Sequence, residues 1–208
     1  MTGGAPQAPR PAPKASGAPV RIVIAEDEAI IRMDLREMLR EEGHEVVGEA
    51  RDGVEAVELA RRLRPDVVFM DIKMPRMNGL EAAAVIGDER LAPVVMVTAF
   101  SQSEQIEEAC RAQAMAYVVK PFSRGDIIPA MHIAISRFAE ARLLEDEVSD
   151  LTERLETRKA VDRAKGILMG KGLTEPEAFQ RLQRLAMDKR KTLREIAEAL
   201  ILADEALG

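Results

Sequence analysis

A chain of 208 residues with 47% apolar and 32% charged side chains has the composition of a water-soluble protein with one ordinary domain and a smaller companion. No run of 18 uncharged apolar residues occurs, which excludes a spanning helix, and a single cysteine, Cys110, excludes an internal disulfide and suits a reducing cytoplasm. The net charge of -6 conceals a split: residues 20–134 hold 14 basic and 21 acidic side chains, whereas 158–194 hold 11 basic and 4 acidic, so one region wants cations and the other polyanions.

The first nineteen residues are mainly Pro, Ala and Gly with Arg10 and Lys14; they lack the apolar block of a secretory signal and read as a disordered tail. Short β-branched runs at 20–25, 45–50, 65–70, 93–98 and 116–120 then alternate with helical spacing at 28–42, 53–63, 79–87, 103–113 and 125–138. The apolar runs among them are too continuous to have a wet face, and five repeats of strand then helix predict a five-stranded parallel α/β sheet with helices on both faces. Helical pattern continues from about Ile127, with Pro129 near its start, to Ile167. Within it Leu144, Val148, Leu151 and Leu155 form a two-heptad seam, which predicts a dimer-forming helix through 144–155. Gly172 stops that helix, and Thr174 with Glu177, then Thr192 with Glu195, predict two capped helices. Buried faces are expected from Val161, Ala164 and Leu168, from Phe179, Leu182 and Leu185, and from Leu193, Ile196, Leu200 and Ile201. The product is a basic three-helix bundle.

In parallel sheets ligands bind beyond the carboxyl ends of the strands. Glu26 and Asp27 follow the first strand, Asp71 the third, Thr98 ends the fourth, and Lys120 with Pro121 follows the fifth. Three carboxylates crowded at one rim require a cation, and hard oxygen donors suit Mg2+. Asp27 is expected to bind the metal directly, Glu26 through water, and the Lys73 carbonyl to add another oxygen. Phosphoryl transfer onto a carboxylate is the chemistry this set supports, with Asp71 as nucleophile, Lys120 neutralising charge and Thr98 hydrogen-bonding a phosphoryl oxygen. A hydrolase using Asp71 transiently lacks its general acid, because Asp71-Ile72-Lys73 has no second carboxylate two residues on.

The stretches "IAEDEAIIR", "MDIKMPRMNG", "VTAF" and "YVVKPF" resemble the receiver domain of bacterial two-component response regulators over about residues 20–137. Glu26-Asp27 varies that family's more frequent Asp-Asp pair. The resemblance implies a flavodoxin-like fold, Asp71 as phosphoacceptor, a sensor histidine kinase as donor, and Tyr117 as a switch aromatic. On that reading, a phosphoryl group on Asp71 draws Thr98 inward and the Tyr117 ring takes the vacated space.

From about Leu155 to Leu202, "RKAVDRAKGILM" and "GLTEPEAFQRLQRLAM" resemble the ANTAR domain, named from the AmiR and NasT antitermination regulators; the turn "MGKG" is one residue shorter than is usual there. This resemblance implies binding to stem loops in leader transcripts and transcription antitermination. The whole is similar to the actinobacterial phosphorylation-dependent antitermination regulators. Candidate RNA contacts are Arg158, Arg163, Lys165, Arg181, Arg184 and Arg190. The expected organisation is a tail over 1–19, a receiver over 20–137, a linker helix over 138–154 and the RNA-binding domain over 155–208, in the cytoplasm and apart from any membrane. A DNA-binding transcription factor with the same receiver is the alternative.

Overall fold

The computed structural model describes residues 18–99 and 114–205. Strands β1 (Arg21–Ala25), β2 (Glu45–Ala50), β3 (Val67–Asp71), β4 (Val94–Thr98) and β5 (Ala116–Val119) pair in parallel in the order β2-β1-β3-β4-β5. Helices α1 (Ala29–Glu41), α2 (Gly53–Leu63) and α3 (Gly79–Asp88) connect them, and α4 (Arg124–Gly170), α5 (Glu175–Lys189) and α6 (Leu193–Glu205) follow. All five expected strands are present, each within two residues of its expected ends. The helix expected at 103–113, with Cys110, lies outside the described residues.

The continuous apolar runs are explained by two cores, one on each face of the sheet. Val23, Ala25, Val68, Met70 and Met96 pack against α2 and α3 through Ala56, Ala60, Ala83 and Ile86. The alternate residues Ile22, Ile24, Val67, Phe69 and Val95 pack against α1 and the start of α4 through Leu35, Leu39, Ile127 and Met131. Side chains point to opposite faces along a strand, so a strand covered on both sides has no polar position to spare. Fully burying each large aliphatic side chain contributes about 1.5–3 kcal/mol. From β1 the chain steps to β2 on one side and then to β3 on the other, so the carboxyl ends of β1 and β3 flank the crevice where the winding reverses.

Helix α4 begins at Arg124, one residue before the expected start, because the Ser123 amide and hydroxyl donate to Asp126 Oδ2 at 2.9 and 2.7 Å. Pro129 is tolerated near the start of the helix at the loss of one bond to the Gly125 carbonyl. Past Gly170, Gly172 takes a φ of 98°, and the amides of Lys171, Gly172 and Leu173 fold back on the carbonyls of Leu168 and Met169. Contacts divide the chain into two compact units, with the change falling between Ala141 and Arg142 inside α4.

The second unit has its own core of Ala164, Leu168, Ala178, Leu182, Ala186, Ile196 and Ala197, with Val161, Leu185, Leu193 and Leu200 partly buried against it. Both expected caps form: the Thr174 amide donates to Glu177 at 2.9 Å, and the Thr192 amide donates to Glu195 at 2.8 Å. One expectation is corrected here. Phe179 is 39% exposed and lies outside the core. The buried positions of α5 are Ala178, Leu182 and Ala186, so that Leu182 and the partly buried Leu185 of the expected face do pack inward while Phe179 is turned about 100° from Ala178. Four of the seven residues of this core are alanines, and the phenyl ring is not among them.

Candidate functional site

The crevice beyond β1, β3 and β4 is lined by Asp27, Asp71, Lys73, Thr98 and Lys120. Asp71 arrives as the last residue of β3, in line with the fully buried Phe69 and Met70. Its Ile72 amide bonds the Val97 carbonyl at 3.3 Å, and the Ile72 carbonyl accepts from the Gly79 amide at 2.9 Å. The turn between them approaches so closely that a Cβ on Gly79 would sit 1.9 Å from the Asp71 carbonyl oxygen. Glycine is therefore required at 79 for space. Asn78 then caps α3: its side chain accepts from the Glu81 amide at 2.8 Å while its own amide donates to Glu81 at 3.1 Å.

Lys120 Nζ lies 2.7 Å from Glu26 Oε2 and 3.2 Å from Asp71 Oδ1, so one cation bridges the ends of β1 and β3. The peptide joining Lys120 to Pro121 is cis. Glu26, Asp27 and Asp71 each bring a carboxylate oxygen within 4.8 Å of the others, Glu26 and Asp71 buried and Asp27 exposed. Burial raises both buried carboxyls above their ordinary range; the Lys120 ammonium opposes this, and a neighbouring carboxylate adds to it in each case. Burial pulls Lys120 down, but the Glu26 hydrogen bond and the Asp71 and Glu26 charges outweigh it, and the amine is raised. One ammonium thus stands against three carboxylates, which leaves room for a further cation with oxygen ligands.

Two supports of this rim were not expected. Arg32, buried on α1, donates to the Glu26 carbonyl at 2.5 Å and through Nε to Glu49 at 3.2 Å, and Arg36 reaches the same Glu49 at 3.2 Å. The sequence carried a signal for it: Arg32 occupies the apolar stripe of Leu35 and Leu39, where a cation needs internal partners. Asp52 caps α2 by accepting from the Glu55 amide at 3.0 Å and pairs with Arg76, which holds a φ of 63° in the β3–α3 turn. The Gly53 amide meets the Met77 carbonyl in the same turn at 3.0 Å. The order Asp52-Gly53-Val54-Glu55 was the available cue to that cap.

The sequence-derived set therefore converges for Glu26, Asp27, Asp71, Lys73, Thr98 and Lys120. Thr98 is buried at the end of β4, with the Lys120 amide on its carbonyl at 2.7 Å. Tyr117 is half exposed on β5, opposite Met96 of β4. The six cations of the second unit differ in their partners. Arg163 reaches Glu205 of α6 at 2.6 Å, while Lys165 reaches Asp162 at 2.8 Å and Glu175 of α5 at 2.9 Å. Arg158 lies 3.9 Å from Asp162. Arg181, Arg184 and Arg190 are exposed and form no ion pair among the described residues.

Residues 22–132 match the response regulator receiver domain, and residues 149–201 match the ANTAR domain. The chain is a response regulator with an ANTAR domain. It is 58% identical to the transcriptional regulatory protein PdtaR of Mycobacterium tuberculosis over 194 residues, 93% of each chain. The sheet unit resembles the receiver domain of the response regulator NarL from the same organism, with a TM-score of 0.55 at 29% identity, over 57% of this chain and 97% of that one. It also resembles the receiver domain of the sensor histidine kinase PA1611 of Pseudomonas aeruginosa, solved with a magnesium ion in its active-site cleft, at a TM-score of 0.52 and 28% identity over 57% of this chain and 99% of that one. The receiver of this response regulator presents its acidic cluster in the crevice where its fold binds ligands. Among the described residues, no helix is long and apolar enough to cross a membrane.

Proposed function

We propose that this response regulator accepts a phosphoryl group on Asp71 from a sensor histidine kinase and then binds structured leader RNA, causing transcription antitermination. The observation that carries this reading is the convergence of Glu26, Asp27, Asp71 and Lys120 at one rim, where burial, and to a lesser degree a neighbouring carboxylate, raises the carboxyls of Glu26 and Asp71. Asp71 Oδ attacks phosphorus as the bond to the donor's imidazole nitrogen breaks; the product is an aspartyl phosphate. Lys120 leaves its Asp71 carboxylate oxygen for a phosphoryl oxygen, and the Thr98 hydroxyl donates to another. Glu26, Asp27, Asp71 and the Lys73 carbonyl form an all-oxygen donor set that fits Mg2+, which when bound neutralises charge on the transferring group. The product is a signal, and the chain acts as a regulator without turning over a substrate.

Tyr117 serves as the switch residue, its half-exposed ring moving inward as Thr98 turns to the phosphoryl group. The working division is a receiver over 20–137, a linker over 138–154 that pairs two copies through 144–155, and the RNA-binding domain over 155–208. Arg158, Arg163, Lys165, Arg181, Arg184 and Arg190 supply phosphate and loop contacts to stem loops in the cytoplasm. Labelling by a purified histidine kinase tests the first step: Asp71→Asn is expected to accept no phosphate while keeping its fold, and undiminished labelling would refute the assignment. Titration with a stem-loop RNA and a promoter duplex at equal salt tests the second; a preference for the duplex makes this a DNA-binding factor.

A further inference from the structure

Leu144, Val148, Leu151 and Leu155 lie along one side of α4, and each is more than half exposed, at 62, 62, 56 and 52%. None belongs to any of the three cores. Such a row is the inward seam of a helix pair, and its partner must offer a matching row with compatible flanks. The flanks here are unequal. Glu147 and Arg154 border one edge of the seam, and Glu145 and Thr152 border the other.

Two copies aligned in the same direction set Glu140 against Glu145 and Arg154 against Lys159, twice each, with only the neutral pair Glu147 and Thr152 between them. Like charges so placed oppose pairing. Reversing one copy about an axis between Ser149 and Asp150 gives four fully apolar layers, Leu144 on Leu155 and Val148 on Leu151, twice each. It also brings Glu147 of each copy to Arg154 of the other, with Glu145 facing the neutral Thr152. Sliding the pair by one heptad either way sets Arg158 or Arg137 against a seam residue. We infer that the seam is occupied by a second copy of this chain running in the opposite direction.

The inference rests on the dimer reading given under Proposed function and adds its orientation. Its consequence is regulation between copies: Arg158, at the start of one basic bundle, comes opposite Ala141 of the second copy, where that copy's receiver unit ends. Arg154 now pairs with Asp150 of its own helix at 2.9 Å, an exposed contact that leaves its charge available to the other helix.

Orientation is tested in the full chain with Cys110→Ser as background and Leu144→Cys or Leu155→Cys added, one of the two proteins carrying a larger tag. After phosphorylation with acetyl phosphate and mild oxidation, the mixture is expected to give the mixed 144–155 disulfide, since facing layers meet the Cα spacing such a bond requires. A dimer formed by Leu155→Cys alone, or a sedimenting dimer without the mixed disulfide, overturns the reversed arrangement and leaves dimerisation standing. Charge gives an independent sign. Arg154→Glu is expected to weaken dimerisation roughly fivefold, and adding Glu147→Arg to restore it, two exposed ion pairs being at stake. A tighter dimer from Arg154→Glu, which relieves the Arg154 and Lys159 clash of the parallel form, overturns it too. Sedimentation as a monomer with and without phosphorylation removes the dimer itself.

Discussion

The charged groups of the receiver's crevice and the exposed arginines of the bundle are placed differently. In the receiver, Glu26, Asp71 and Lys120 are withdrawn from solvent and held within hydrogen-bonding reach, so their protonation is displaced and a small, highly charged ligand meets fixed partners. In the bundle, Arg181, Arg184 and Arg190 stand in solvent, and Arg163 pairs with an exposed acid. The difference matches the ligand proposed for each. A phosphoryl group requires a few preorganised contacts in a low-dielectric crevice, whereas a nucleic acid is met by many screened charges acting over a wide surface.

Steric substitution should separate the units most sharply. Gly79→Ala forces a Cβ into the Asp71 carbonyl and is expected to cost about 2–4 kcal/mol of receiver stability, with loss of labelling, by the penalty for an unrelievable clash and backbone shift. Urea unfolding and phosphorylation of the same sample check it. Next comes Lys165→Ala combined with Arg184→Ala, which is expected to weaken stem-loop RNA binding about tenfold and lower the salt slope by about two, with labelling unchanged. Filter binding between low and moderate salt reads both, and an unaltered slope would remove this pair from the interface.

Asp52 provides a pH test within the receiver. Burial raises its carboxyl, but the Glu55 amide and Arg76 outweigh that and hold it below the ordinary range. A depressed carboxyl contributes stability that is complete above the unfolded value of about 3.9 and is lost as pH falls through the folded value. Asp52→Asn keeps the cap, so its expected cost is about 1 kcal/mol at pH 7, shrinking toward zero as pH falls below about 4. Denaturation at the two pH values decides; an equal cost at both would assign the effect to packing. The smallest effect is expected at Gly166, where an added Cβ meets nothing within 4 Å inside α4. Gly166→Ala should stabilise the bundle by about 0.5–1 kcal/mol, in contrast to Gly79, and thermal melting of the second unit reads it.

Strands β1, β3 and β4 were legible because both of their faces are buried, which leaves an uninterrupted apolar signature, and the rim followed because parallel topology sends every carboxyl end to the same side. Phe179 misled because hydrophobicity alone does not say which side of a helix is buried; the small Ala178 beside it holds the inward position. Arg32 and the link from Asp52 to Arg76 escaped notice because each joins residues far apart in the chain, and local periodicity carries no information about such partners. Gly79 was legible as a turn residue, but its clash distance to Asp71 depends on tertiary closure.

That closure has a mechanical corollary. The main chain around Asp71 is closely approached by Gly79 on one side and is tied on the other by the Ile72 amide, which donates to the Val97 carbonyl at 3.3 Å. A phosphoryl group at the proposed acceptor would meet this close-packed strand end on one side of the crevice and Thr98 and Ala99 on the other.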